Sequence, residues 1–270
     1  MSENSREGKS SLLEKFVPAL LVITVGLAFV VGVLWQKVEN IGKGETATTD
    51  TTTTQKAPEP VKVSMDQIKD LFNKDVVKFG NADSKLIFVE ASDPSCPYCH
   101  IAGGLNPELN AQVGDQFKLV KNGGTYLAPV IEMKKLVDSG EASYVWLYFN
   151  GHGNGELATK ALYCAYEKGK FWEVHDLLMT NKAYSFINDT VKNDKTKSGE
   201  MADFLKSAVN VTEMKECLDS GKYDARLAED MKLASALGVS GTPGFFVNET
   251  NFAGAYSYTD MESVVTSALK

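Results

Sequence analysis

Residues 86–100 read LIFVEASDPSCPYCH, a short apolar run followed by two cysteines with two residues between them. Leu86–Ala91 has the length and composition of a buried strand. Pro97 suits the first position of a helix, where its missing N–H breaks no hydrogen bond. Cys96 and Cys99 then lie on one face of the first turn. A thiol there feels the positive end of the helix dipole, which favours the thiolate. The stretch predicts a redox dithiol at a strand-to-helix junction.

The same residues, Cys96 to His100, also match the attachment pattern of c-type haem. The surroundings argue against that reading. A CxxCH after a buried strand, with Thr-Pro ahead of another strand, does not suit a small helical cytochrome. Met179, Met201, Met214 and Met231 are available as axial ligands, but methionines on helices are mostly core residues. Zinc would need a second CxxC or a matching histidine pair, and the sequence has neither. The expectation is no metal and no cofactor.

The chain has 270 residues, 23% of them charged, and a net charge of −7. That is room for one or two domains and carries no basic footprint for nucleic acid. Four cysteines are too few for a disulfide-stapled scaffold. Residues 16–35, FVPALLVITVGLAFVVGVLW, hold no charge, and as a helix they would span about 30 Å, the thickness of a bilayer core. Arg6, Lys9 and Lys15 precede the run and favour a cytoplasmic N-terminus with the remainder translocated. A cleaved signal peptide is the competing reading, but no small-x-small site follows Trp35. We therefore expect a cytoplasmic segment 1–15, a transmembrane anchor 16–35 and an extracytoplasmic remainder. The segment 36–60, with TATTDTTTTQKAPEP, is too polar to bury a core and reads as a flexible linker.

The folded part is expected over 61–270. Apolar spacing predicts helices at Met65–Val77, from Pro97 onward, and at Val130–Val137. Gln116–Val120 and Thr125–Leu127, around Asn122-Gly123-Gly124, predict a hairpin. Tyr144–Phe149 predicts a central strand. A helical block follows: Glu156–Lys168, Phe171–Met179, Gly199–Ala208, Thr212–Asp219 and Tyr223–Leu237. Gly244–Val247 and Phe252–Ala255 read as short strands, and Thr259–Leu269 as a closing helix. The order is α/β, with a helical insertion at about 155–238. Segment 101–142 is long for a connection and could form a lid or partner surface beside the dithiol.

Two distant features belong with the dithiol. Pro243 opens the strand Gly244–Val247, a place where strands tolerate proline, and a cis Thr242–Pro243 bond would set that turn against the cysteines. Glu90 is an acid inside an apolar strand, six residues before Cys96. A buried carboxyl there could pass protons to Cys99. His152 and His175 have no sequence partners that make a catalytic triad, and His175 is expected to hydrogen-bond within the helical block.

With these residues the chain resembles the DsbA-like thiol-disulfide oxidoreductases of the thioredoxin superfamily. The resemblance rests on the segment from Gly80 through Glu90 into CPYC, on ALYCAYEKGKFWEVHDLL (161–178), on ECLDSGKYDARLAEDMKLASALGV (216–239) and on GTPGFFVN (241–248). It implies a thioredoxin-like fold with an inserted helical domain and a protein thiol-disulfide oxidoreductase activity. Cys96 would be the attacking thiolate or the sulfur attacked, Cys99 the resolving thiol, and Glu90 and Pro243 their catalytic neighbours. Thr242, Pro243 and Tyr98 would meet the substrate, and Pro97, Tyr98 and a protonated His100 would tune the redox poise. Cys164 and Cys217 would form a structural disulfide. The partners implied are exported cysteine-containing proteins and a membrane quinone-linked thiol oxidase of the DsbB or VKOR kind. The Pro-Tyr centre leaves the direction open between oxidase and a reductase or isomerase. A non-catalytic peptide-binding or chaperone module is the rival of another class.

Overall fold

A computed structural model of the protein describes residues 62–270. The segments 1–15, 16–35 and 36–60 lie outside the described residues. Among the described residues, no helix is long and apolar enough to cross a membrane.

Among the described residues, five strands form one sheet in the order β1-β3-β2-β4-β5. They are β1 (Val77–Phe79), β2 (Ile87–Ser92), β3 (Ser143–Tyr148), β4 (Gly244–Val247) and β5 (Thr250–Ala253). β2 and β3 run parallel, and every other pairing is antiparallel. Both central strands are buried along their whole length. Phe88, Tyr144, Trp146 and Phe245 lie on one sheet face, while Ile87, Val89, Val145 and Phe246 lie on the other. Each side chain fully removed from water contributes about 1.5–3 kcal/mol, so both faces must be covered.

Helices supply the cover. α1 (Met65–Asp70), α2 (Pro97–Gly103), α3 (Pro107–Val113) and α4 (Pro129–Asp138) flank the first three strands. Between β3 and β4 come α5 (Glu156–Glu167), α6 (Phe171–Leu178), α7 (Asn181–Ser185), α8 (Ser198–Phe204), α9 (Val211–Asp219) and α10 (Asp224–Ala236). A π-helical turn, Phe186–Val191, follows α7. α11 (Tyr258–Leu269) closes the chain behind a capping box in which Ser257 and Asp260 satisfy each other's backbone N–H groups. Asp230 of α10 is fully buried and accepts from Tyr148 N at 3.0 Å and from Tyr163 Oη at 2.6 Å, tying α10 to β3 and α5.

Three expectations are corrected. The helix expected over Met65–Val77 stops at Asp70, passes through a 3₁₀ turn at Leu71–Asn73, and gives way to β1, which pairs with β3. Three residues are too few to show an alternation, so this edge strand left no periodic signal. The hairpin expected over 116–127 is instead a loop with two 3₁₀ turns, Asp115–Phe117 and Val120–Asn122, and one isolated bridge, Leu119 to Tyr126. Its apolar residues serve a small cluster with Ile101 and Leu109 rather than a ladder. The last strand lies at Thr250–Ala253, two residues before the expected Phe252–Ala255, because Asn248 turns the chain early at φ 53°.

Candidate active site

Cys96 is the N-cap of α2, with extended dihedrals (φ −78°, ψ 125°), and Pro97 is the first helical residue. The Cys96 carbonyl accepts from Cys99 N at 3.1 Å and from His100 N at 3.2 Å. Both thiols are free, and only 4% of Cys96 and 1% of Cys99 is accessible. Their acidities diverge. Cys96 is lowered to about 6, first by a hydrogen bond from the Cys99 thiol and then by Thr242 and the backbone N–H groups of Cys99 and Tyr98. Cys99 is pushed well up, first by burial and then by donating to Cys96. One thiolate shared across the pair therefore resides on Cys96.

The loop before β4 faces this sulfur. The Thr242–Pro243 bond is cis, and Cys96 Sγ lies 3.5 Å from Thr242 O. A third segment, after β3, closes the site. A Cβ added to Gly151 would collide with Thr242 Oγ1 and fall 3.3 Å from Cys96 Cβ, so the backbone there approaches as only glycine permits. Asp93 holds that segment. Its buried carboxylate accepts from Ser95 N (2.8 Å) and Ser95 Oγ (2.7 Å) on one oxygen, and from Gly151 N and His152 N (both 2.9 Å) on the other. Beneath the dithiol, Glu90 is buried and accepts from Tyr144 Oη. Burial raises its pKa, since the ionised carboxylate would stand in an apolar core.

A thioredoxin family profile matches residues 130–267, from α4 into α11. The chain belongs to the thioredoxin family. In fold it is DsbA-like: it resembles oxidised BdbD of Bacillus subtilis (TM-score 0.50, 19% identity, 72% of this chain and 92% of that one). It likewise resembles alpha-DsbA1 of Wolbachia pipientis (TM-score 0.52, 17% identity, 72% and 91%). Among curated proteins, it is 28% identical over 192 residues to the Na(+)/H(+) antiporter NhaA 3 of Salinispora tropica, matching 70% of this chain but only 24% of the antiporter. It is 27% identical over 220 residues to the "Putative protein-disulfide oxidoreductase" of Rickettsia felis, matching 80% of this chain and 67% of that protein. The chain thus spans about a quarter of the antiporter's length.

This thioredoxin-family fold gathers Cys96, Cys99, Pro97, Tyr98, Glu90, Thr242 and Pro243 in one place. Tyr98 is 44% exposed beside the cysteines, and its ring meets Phe117 of the long 101–142 segment at 5.9 Å. Cys164 and Cys217 stand apart from this site, joined by a disulfide between α5 and α9. His100 is fully buried with both ring nitrogens against carbonyl oxygens, Pro94 O at 2.8 Å and Met179 O at 3.0 Å. Burial lowers its pKa to about 4, while the two carbonyls oppose that shift; a neutral ring can donate to only one of them. Asp93, Gly151, Tyr144 and Ser92 were not anticipated. Only Ser92 left a signal, being two residues beyond Glu90 and so on the same strand face.

Proposed function

We propose that the protein is a membrane-anchored, extracytoplasmic thiol-disulfide oxidoreductase that forms disulfides in exported proteins through Cys96 and Cys99. The observation that carries this reading is the opposite displacement of the two thiols, Cys96 down to about 6 and Cys99 well up. A thiolate stabilised in the reduced form makes the disulfide the less stable partner and so the better oxidant. A substrate thiolate attacks Cys96 Sγ, the bond to Cys99 breaks, and Cys99 leaves with the electron pair and takes up a proton. A second substrate thiolate attacks the substrate sulfur of the mixed disulfide, Cys96 leaves as the thiolate, and the enzyme is reduced. The loop Thr242–Pro243, beside Cys96 Sγ, is suited to hold an extended substrate backbone, and Tyr98 to meet its side chains.

The uncharged run 16–35 supports anchoring in the membrane, and the direction of its flanking charges supports an extracytoplasmic site. Reoxidation by a membrane quinone-linked thiol oxidase would complete the cycle. The deciding measurement is the Cys96–Cys99 reduction potential against glutathione. A value near roughly −120 mV is expected of an oxidase, whereas one near roughly −270 mV would make the protein a reductase. Cys96→Ser should abolish exchange; full function in that variant would favour a binding module instead.

A further inference from the structure

A short segment of the helical insertion lies against the dithiol. α7 runs into the π-helical turn Phe186–Val191, and the chain leaves that turn through Lys192 and Asn193, both at positive φ (46° and 63°). π-helical turns are rare and concentrate at functional sites. Asparagine is among the few residues besides glycine that visit the left-handed region routinely. Tyr184 of α7 sets its ring edge-on to His100 of α2, with centroids 5.0 Å apart.

Two asparagines of this segment bind the loops around Cys96. Asn188 Nδ2 donates to Ser95 O and to Tyr184 O, both at 3.1 Å, and Asn188 Oδ1 accepts from Asn154 Nδ2 at 3.1 Å. Ser95 is fully buried and immediately precedes Cys96. The peptide joining them is held at both ends: Ser95 O accepts from Asn188, and Cys96 N donates to Asp93 O at 2.9 Å. That peptide sets the direction in which Cys96 enters α2 as its N-cap. Asn154 N in turn donates to Ser95 Oγ at 3.2 Å, so Asn188 also secures the loop that carries Gly151. Asn193 secures the far end of that loop. Gly155, the N-cap of α5, has no side chain to cap the helix, and a Cβ there would collide with Asp93 Oδ1. Asn193 Oδ1 supplies the missing cap, accepting from Glu156 N at 2.8 Å and Leu157 N at 3.4 Å, while its Nδ2 donates to Gly153 O at 2.7 Å.

We infer that Asn188 is a positioning residue for Cys96, and that the π-helical turn is the device by which the helical insertion fixes the reacting sulfur and the loop beside it. The inference rests on the thiol-exchange reading above. Without the Asn188 amide, Ser95 O loses its donor in a buried place, and Asn154 loses its acceptor. The Ser95–Cys96 peptide is then held at one end only. Cys96 Sγ shifts relative to the Cys99 thiol and the N–H groups of Cys99 and Tyr98, which favour its thiolate. Gly151 shifts relative to Thr242, against which its backbone is closely packed.

Asn188→Ala and Asn188→Asp, made separately in the full-length protein, test the assignment. Aspartate keeps the size and the acceptor for Asn154 but has no donor for Ser95 O. Asn210→Ala is the comparison: Asn210 caps α9, the insertion helix that carries Cys217, by accepting from Glu213 N at 3.1 Å. Two rates are followed from pH 4 to 9, alkylation of Cys96 by iodoacetamide in the reduced protein and reduction of the Cys96–Cys99 disulfide by dithiothreitol. Both Asn188 variants are expected to raise the alkylation midpoint by about half a pH unit or more, as the thiolate loses aligned donors. Both should slow disulfide reduction at pH 7 about tenfold or more, as expected of misplaced reacting atoms. Asn210→Ala should match wild type in midpoint and rate. A folded Asn188 variant with wild-type midpoint and rate overturns the assignment, and so does an equal shift in Asn210→Ala. If Asn188→Ala does not fold, Asn188→Asp decides alone. A wild-type disulfide that dithiothreitol never reduces would instead overturn the oxidoreductase reading, and the alkylation midpoints would still decide the role of Asn188.

Discussion

Cys96 and Cys99 are chemically identical and three positions apart, yet they titrate in opposite directions. Cys96 caps a helix and collects donors, whereas Cys99 sits one turn deeper with no solvent to stabilise its charge. The split has a thermodynamic consequence. A thiol at about 6 when folded, against 9.0 as its ordinary value, stabilises the reduced fold fully above that ordinary value, and the contribution is lost as pH falls to about 6. Cys99 has the opposite sign: its raised pKa costs stability once pH exceeds the ordinary thiol value. Relative to Cys96→Ser, the reduced protein should gain stability from pH 6 toward 9 and stop gaining above that. Urea unfolding at a series of pH values checks this; a flat difference would mean that Cys96 is not held as thiolate. Glu90 was legible at this scale because an acid in an apolar strand is conspicuous. The charge state of His100 was not, because it depends on a burial that no neighbouring residue reveals.

At the scale of elements, the site is where three segments distant in sequence come together: the N-terminus of α2, the loop before β4 and the loop after β3. The first two announced themselves through proline and cysteine. The third, 150–155, has only a glycine-rich composition, and its role follows from Asp93, which draws Gly151 N and His152 N onto one carboxylate oxygen. Gly151→Ala would drive a methyl group into Thr242 Oγ1 and against Cys96 Cβ. A misplacement of about 1 Å beside reacting atoms costs on the order of 10²-fold in rate. Gly151→Ala should therefore slow exchange with a peptide disulfide by at least tenfold while leaving far-UV circular dichroism unchanged. Gly140→Ala, where no atom lies within 4 Å but φ is +78°, is the comparison that costs stability without touching the site. The loop over 116–127 shows the converse: apolar residues flanking Asn-Gly-Gly look like hairpin strands, but Phe117 packs against both Tyr126 and Tyr98.

Over the whole molecule, the helical insertion is joined to the sheet and also fastened to itself. Asp230 of α10 does the first, accepting from Tyr148 N of β3 at 3.0 Å, while Arg226 stacks within the insertion, 4.3 Å from the Tyr163 ring centre. The Cys164–Cys217 disulfide does the second, closing a loop with a sequence separation of 53 between α5 and α9. By chain entropy such a crosslink contributes about 4 kcal/mol. Replacing both cysteines with alanine should lower stability by about 2–4 kcal/mol and leave exchange at Cys96 intact at 25 °C, since the crosslink is remote from the dithiol. Thermal melts with a parallel exchange assay test this; lost exchange in a folded variant would make the bridge part of the site. The sequence by itself determined the dithiol, its helix start, the buried acid and the two central strands, because proline, cysteine, and an acid in an apolar run act locally. Only the tertiary structure decided which sulfur carries the charge, that His100 is enclosed between two carbonyl oxygens, and that Gly151 closes the site. Those are questions of desolvation and contact between segments, and they depend on distances that no local spacing encodes.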